Sequence, residues 1–218
     1  MRCPQVSYLG VDRFWFEEAS EAFEHPDLAA LSDQQVIICS VGRLEPRKGH
    51  IEALGAIAHL QERHGKGNFV YVVAGRAEDD GYVSTILAEA HRLSVKVLLT
   101  GRLSRADLRL LYKKSLCHML LASSLPGKIE GFGLVLLEAA AQECPSIATA
   151  SGGIPEALGG TGVLVQEGNW DQAAEGIWSM ASDPKVRRAL GRASRRHAQN
   201  FTWARCADVT FPEFAGRS

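Results

Sequence analysis

Val36-Ile37-Ile38-Cys39-Ser40-Val41-Gly42 is short, apolar and closed by glycine, and the chain returns to that pattern several times. A helical periodicity follows it at about 48–63. FVYVVAG at 69–75 precedes a helix near 80–93, and VKVLLTG at 95–101 precedes one near 105–114. LCHMLLAS at 116–123, a loop, a helix from 133, PSIATAS at 145–151, a short helix from Ile154 to Leu158 and GVLVQ at 162–166 complete the series. Strands that are apolar along their whole length are buried on both faces, and their alternation with helices predicts a mainly parallel sheet. Right-handed crossovers wind such a sheet into a Rossmann-like, three-layer α/β/α domain. Only helices follow: about 170–181, then 184–198 with Asp183 as cap and Pro184 in the first turn, then roughly 202–214. Ser104 caps the helix at 105–114, with Asp107 at capping-box spacing. The expected organisation is one domain over 1–218, with an entry segment to about 35, a core at 36–168 and C-terminal helices at 169–218.

The 218 residues are 46% hydrophobic and 22% charged, which is ordinary for a globular chain. A formal net charge of -1 supplies no electrostatic footprint for nucleic acid. The five cysteines (Cys3, Cys39, Cys117, Cys144 and Cys206) lack C-x-x-C spacing, and three lie in apolar surroundings, as buried thiols in a reducing compartment do. No apolar run reaches the length of a membrane span, and MRCPQVSYLG has no signal-peptide core, so a cytoplasmic location is expected.

In such sheets ligands bind beyond the carboxyl ends of the strands. Five loops fall there: Gly42 to Gly49, Gly75 to Asp80, Gly101 to Ser104, Ser123 to Gly133 and Ser151 to Pro155. For any one of them, glycine making a tight turn is a sufficient account; the five together point to a ligand. Within them, Glu130-Gly131-Phe132-Gly133-Leu134-Val135-Leu136-Leu137-Glu138 puts two carboxylates around a glycine pair. The segment GLVLLEAAA is apolar around its circumference and reads as a buried helix, where Glu138 is unfavourable without a partner. Gly131 and Gly133 leave open amides that attract phosphate or similar anions. Carboxylates on either side of a phosphate site suit the hydroxyls of a nucleotide sugar. In VGRLEPRKG, Gly42 lets a ligand approach the backbone, and the long side chains of Arg43 and Lys48 are placed to converge on a diphosphate. Pro46 and Gly49 shape that turn.

Other chemistries find less support. G-x-G-x-x-G is missing after the first strand, which disfavours a nicotinamide-dependent dehydrogenase, and G-x-x-x-x-G-K-[ST] is absent altogether. Glu78-Asp79-Asp80 suits a helix start better than a metal, and no histidine spacing improves on His59 and His64, so no metal is expected. Lys185, Arg187, Arg188, Arg192, Arg195 and Arg196 make one helix basic; a solvated face is the favoured reading, with contact to an anionic membrane surface as the functional one. Phe201 and Trp203 read as packing residues.

VGRLEPRKG, TGRLSRADLRLLYKKS, EGFGLVLLEAAAQECPSIATASGGIPE and GVLVQEGN, in this order, resemble the C-terminal domain of retaining glycosyltransferases of family four, one half of a GT-B fold. The match runs from Gly10-Val11-Asp12 to Phe201-Thr202-Trp203. Glu130 and Glu138 are similar to the family's E-x7-E motif. The resemblance implies that Arg43, Lys48 and Glu130 carry the catalytic role, with Arg43 and Lys48 on the diphosphate. It assigns Glu130 and the Gly131, Phe132, Gly133 and Leu134 loop to sugar or phosphate, Glu138 to ribose, and Arg102 with Leu103 to the base, alongside Gly42 and Gly75. It further implies a UDP- or GDP-sugar donor and no metal or other cofactor.

The family has two Rossmann-like domains, and this sequence corresponds to the second. The N-terminal acceptor domain is therefore an expected partner, in cis or in trans, and the chain alone is expected to bind donor but transfer little. The face left open by that domain is a candidate for self-association as a homodimer. Three departures stand out: Leu9 in place of asparagine before Gly10-Val11-Asp12, Gly75-Arg76-Ala77 at the second glycine loop, and a loop lengthened by residues 124–129. The alternative is a non-catalytic module that senses a nucleotide sugar or helps a partner assemble. A nucleotide-sugar epimerase ranks below both.

Overall fold

The computed structural model describes residues 6–124 and 130–214, with the Phe214 side chain left aside. Cys3 and residues 125–129 of the lengthened loop lie outside the described residues. Six strands, β1 (Val36–Val41), β2 (Phe69–Ala74), β3 (Val97–Gly101), β4 (Cys117–Leu120), β5 (Ser146–Thr149) and β6 (Val163–Val165), form one sheet in the order β3-β2-β1-β4-β5-β6. Every pairing is parallel, so the expected mainly parallel sheet is wholly so.

The apolar strands are buried on both faces, as their composition requires. Ile38, Tyr71 and Val73 face one layer with Leu54, Ile57, Ile86 and Ile177, whereas Ile37, Cys39, Val70 and Val72 face the other with Leu111, Tyr112 and Leu137. The first layer is built from α2 (His50–His64), α3 (Asp80–Arg92) and α7 (Trp170–Ser182); the second includes α4 (Arg105–Lys114), α5 (Leu134–Ala141) and the end of α8 (Pro184–Ala198). A short helix α1 (Pro26–Ala29), unsignalled by periodicity, buries Leu28 against the second layer. Helix α6 (Ile154–Leu158) falls where the sequence placed it.

Local chemistry explains most ends. Asp183 accepts from the Lys185 amide at 2.8 Å with Pro184 in the first turn, and Ser104 accepts from the Asp107 amide at 3.0 Å. The Asp107 carboxylate does not return to close a capping box: it accepts from the Glu24 amide at 2.8 Å and ties the entry segment to α4. The last helix, α9 (Trp203–Thr210), is shorter than the 202–214 expected. Pro212 disfavours helical backbone at Phe211 and cannot donate an amide, so the chain continues as a 3-10 turn, Pro212–Phe214.

Two further expectations change. Phe201 packs into the second layer and its carbonyl accepts from the Val11 amide at 2.9 Å, but the Trp203 side chain is 51% exposed, so that residue is no packing centre. On the basic helix α8, Arg187 donates to the Leu116 and Ser115 carbonyls at 3.1 and 2.7 Å, and Arg195 to the carbonyls of Phe16, at 2.8 Å, and Ala141. Those two cations bind the fold together; Lys185, Arg188, Arg192 and Arg196 remain exposed. Among the described residues no helix is long and apolar enough to cross a membrane.

Candidate functional site

The strand order reverses at β1 and β4, which lie side by side. Connections leaving their carboxyl ends turn in opposite directions and open a crevice there. The two loops concerned are 42–49 and 121–133, and they meet: the Ser123 amide donates to the Arg47 carbonyl at 3.1 Å, while a Cβ on Gly49 would lie 1.9 Å from the Leu121 oxygen.

Lys48 sits in a 3-10 turn, Pro46–Lys48, that precedes α2, with left-handed Gly49 (φ 75°) between them. Its Nζ lies 2.6 Å from Glu130 Oε2, and the same oxygen accepts from Arg47 Nη1 at 2.7 Å. Burial pushes the Glu130 carboxyl up, but the Lys48 and Arg47 hydrogen bonds outweigh it and hold the group below the usual glutamate range. Glu130 is thus an ionised carboxylate with Oε1 unpaired among the described residues. Arg43 is instead exposed and turned to Glu78 and Glu45, at 2.7 and 3.2 Å. The two cations expected to converge are therefore both held by carboxylates here.

The main chain after Glu130 is shaped from the other side. Gly152 (φ 52°) comes so close that a Cβ would meet the Glu130 oxygen at 2.0 Å, and the Gly153 amide donates to that oxygen at 3.1 Å. Phe132 turns its ring against Tyr8 and Phe201, with centroids 5.4 and 5.6 Å away. The amides of Gly131, Phe132, Gly133 and Leu134 have no acceptor among the described residues. They are the open donors at the start of α5.

Glu138, one turn into α5, has one weak hydrogen-bond partner among the described residues, the Tyr112 hydroxyl donating at 3.4 Å. Burial pushes its carboxyl up to about 7, against small lowering effects from Tyr112 and Arg105. It borders a groove of about 430 Å3 shared with Val11, Asp12, Trp15, Arg105 and Leu134. Arg102 is exposed directly after β3, and Leu103 is half-buried against the second layer. Gly42 and Gly75 interlock: the Gly42 amide donates to the Ala74 carbonyl at 3.0 Å, and a Cβ on Gly75 would lie 1.7 Å from the Gly42 oxygen.

Of Glu78-Asp79-Asp80, Asp79 caps α3 by accepting from the Gly81 amide at 2.9 Å, and Glu78 pairs with Arg43. Among the described residues no group of three or more His, Cys, Asp or Glu side chains is placed to hold a metal ion. Sequence reasoning gave no role to Arg47 or Glu45, which the structure places in the same ion-paired cluster. The loop from Ser151 to Pro155 was singled out, but not the contact of its Gly152 and Gly153 with the Glu130 main chain.

Residues 23–197 match the family model described as Glycosyl transferases group 1, and the chain belongs to that family. It is 30% identical over 217 residues to a D-inositol 3-phosphate glycosyltransferase of Kribbella flavida, covering 96% of this chain and 50% of that protein. Against the enzyme of the same description from Segniliparus rotundus it is 32% identical over 204 residues, covering 91% and 44%. The chain therefore spans about half the length of the curated relatives it matches. In fold it is similar to Anabaena Alr3699/HepE, solved in complex with UDP and glucose, with TM-score 0.78 and 20% identity over 98% of this chain and 57% of that one. The C-terminal domain of the glycosyl transferase group 1 protein LpcC from Francisella tularensis superposes with TM-score 0.71 and 22% identity, over 88% of this chain and 97% of that domain. The fold is that of one Rossmann-like half of a GT-B glycosyltransferase.

Proposed function

We propose that this chain is the donor-binding half of a retaining glycosyltransferase that takes a hexose from a nucleoside diphosphate sugar. The observation that carries the reading is Glu130 ion-paired to Lys48 beside four open amides, at the point where the strand order reverses. Lys48 supplies a cation and the Gly131–Leu134 amides supply donors for a diphosphate, with Arg43 swinging in from Glu78. Positive charge there stabilises the leaving diphosphate, whose charge grows in the transition state, without a metal. Glu130 Oε1 accepts from the sugar, and Glu138 accepts ribose hydroxyls in the groove beside Trp15 and Arg105. Arg102 and Leu103 flank the base. Acceptor chemistry belongs to the whole protein, for which D-inositol 3-phosphate is the first acceptor to try because its curated relatives carry that name.

The test is a thermal-shift panel of UDP-glucose, GDP-mannose and ADP-glucose, since a ligand that binds only the folded state raises the melting temperature by mass action. One donor is expected to shift it by several degrees at millimolar concentration, with UDP-glucose tried first because the Anabaena structure holds UDP and glucose. No shift with any of the three would end this reading.

Glu138 makes donor affinity depend on pH. Burial raises its folded-state pKa to about 7 from an ordinary 4.5, so its burial costs stability increasingly as pH rises between those values. Ribose hydroxyls donate to the ionised form, so binding draws a proton off and strengthens as pH rises, levelling off above about 7. Donor affinity at pH 6 should be about tenfold weaker than at pH 8, and Glu138→Gln should flatten the profile. Nearby buried imidazoles do not confuse the measurement, because burial pushes His50 to about 4 and His118 to about 3. A wild-type profile that is flat from pH 6 to 8 would remove Glu138 from the ribose site.

A further inference from the structure

Six charged side chains form a continuous line across the crevice: Glu78, Arg43, Glu45, Arg47, Glu130 and Lys48, each paired to the next within 3.2 Å. Three positive and three negative charges balance, so the line has no free cation for an incoming diphosphate. The two outer cations differ from the one between them. Arg43 has a side chain 55% exposed and hangs from Glu78 and Glu45. Lys48 is a flexible point charge whose one ion-pair partner among the described residues is Glu130. Arg47 is held: its side chain is 10% exposed, Nη1 reaches Glu130 at 2.7 Å, Nη2 reaches Glu45 at 2.8 Å, and its carbonyl accepts from the Ser123 amide at 3.1 Å. A guanidinium fork spanning two carboxylates has little freedom left, whereas an ammonium can change partners by rotating its stem.

A diphosphate that draws Lys48 away would leave the buried Glu130 with an uncompensated charge if Lys48 were its only partner. The structure supplies a second cation on the same oxygen, Oε2, and Oε1 has no partner among the described residues.

We propose that Arg47 is a positioning residue that keeps Glu130 charged and oriented while Lys48 moves to the donor's diphosphate, so that Oε1 of Glu130 faces the sugar. The proposal rests on the donor-site reading above and adds a residue that never touches the donor. It acts through Glu130, and it lowers the cost of releasing Lys48. Without it Lys48 serves two anions at once, and the sugar loses a fixed acceptor.

A double-mutant cycle between Arg47→Gln and Glu130→Gln separates this role from mere support of the loop, because coupled residues depart from additivity and independent ones do not. The probe is whichever of UDP-glucose, GDP-mannose and ADP-glucose the wild-type chain binds, followed by calorimetry. Arg47→Gln should weaken that donor about tenfold in the wild-type background, and no more than about twofold once Glu130 is glutamine, a coupling of order 1 kcal/mol. Arg47→Lys, which keeps the charge but not the fork, should show an intermediate loss with the same coupling; it decides the question alone if Arg47→Gln does not fold. An equal loss in both backgrounds, or none in the wild type, would overturn the proposal while leaving donor binding intact. A wild-type chain that binds none of the three donors would overturn the donor-site reading, and this role with it.

Discussion

Lys48→Ala should weaken nucleoside diphosphate binding by about 10- to 100-fold while barely moving the melting temperature. The binding loss follows from removing a charged donor to an anion, a contribution of about 1.5–3 kcal/mol. The small stability change follows from the second cation: Glu130 keeps Arg47 at 2.7 Å when Lys48 is gone, so no unpaired carboxylate remains. Calorimetry with UDP, GDP and ADP on the wild type and the variant measures the first effect, and a thermal melt measures the second. Equal affinity in both proteins would show that the diphosphate does not reach Lys48, and the site would have to be sought elsewhere in the crevice. A large fall in melting temperature would contradict the claim that Arg47 alone satisfies Glu130.

Gly49→Ala should be strongly destabilising, costing about 2–6 kcal/mol. Two independent costs add. Backbone at φ 75° is left-handed, which costs a non-glycine residue about 1–3 kcal/mol. The new Cβ would also lie 1.9 Å from the buried Leu121 oxygen and 2.4 Å from its carbonyl carbon, so a strand end must move, at about 1–3 kcal/mol more. Gly168 is the control: its φ is also 75°, but nothing lies within 4 Å of a Cβ there, so Gly168→Ala carries the backbone cost alone. Urea unfolding of both variants separates the two costs. Equal midpoint shifts would mean that the contact with Leu121 is soft and that it does not lock loops 42–49 and 121–124 together.

Much of the fold was legible because its signals are local. Ile37 to Val41 and Val70 to Ala74 are apolar on both faces, which only a sheet covered on two sides satisfies, and Asp183-Pro184 marks a helix start by the bonds it can and cannot make. Where local reading failed, a longer-range partner or a neglected proline was responsible. Asp107 stands at capping-box spacing, yet its carboxylate found the Glu24 amide, 83 positions away, so the spacing alone misled. Pro212 was visible and should have ended the last helix near Phe211.

The candidate site divides in the same way. Glu138 could be recognised as a carboxylate short of partners because its own helix is apolar, and among the described residues it has a single hydrogen bond, of 3.4 Å. Arg47 could not be recognised, since next to Pro46 and Lys48 it looks like one more solvated charge. Its function depends on Glu130 and Glu45, and only the first of these was singled out.

Composition and periodicity were enough to determine an alternating α/β chain, the ends of the strands at which glycine loops gather, and the two glutamates that border open amides. These are properties of neighbours along the chain, set by side-chain hydrophobicity and by the backbone freedom of glycine. Which charge meets which was decided by tertiary structure alone. Lys48 and Arg47 lie 82 and 83 positions from Glu130, and they reach it because β1 and β4 are adjacent in a sheet whose order the sequence pattern leaves open. Strand order sets the distance between loops, and at 2.6–2.7 Å that distance turns three scattered charges into one ion-paired cluster.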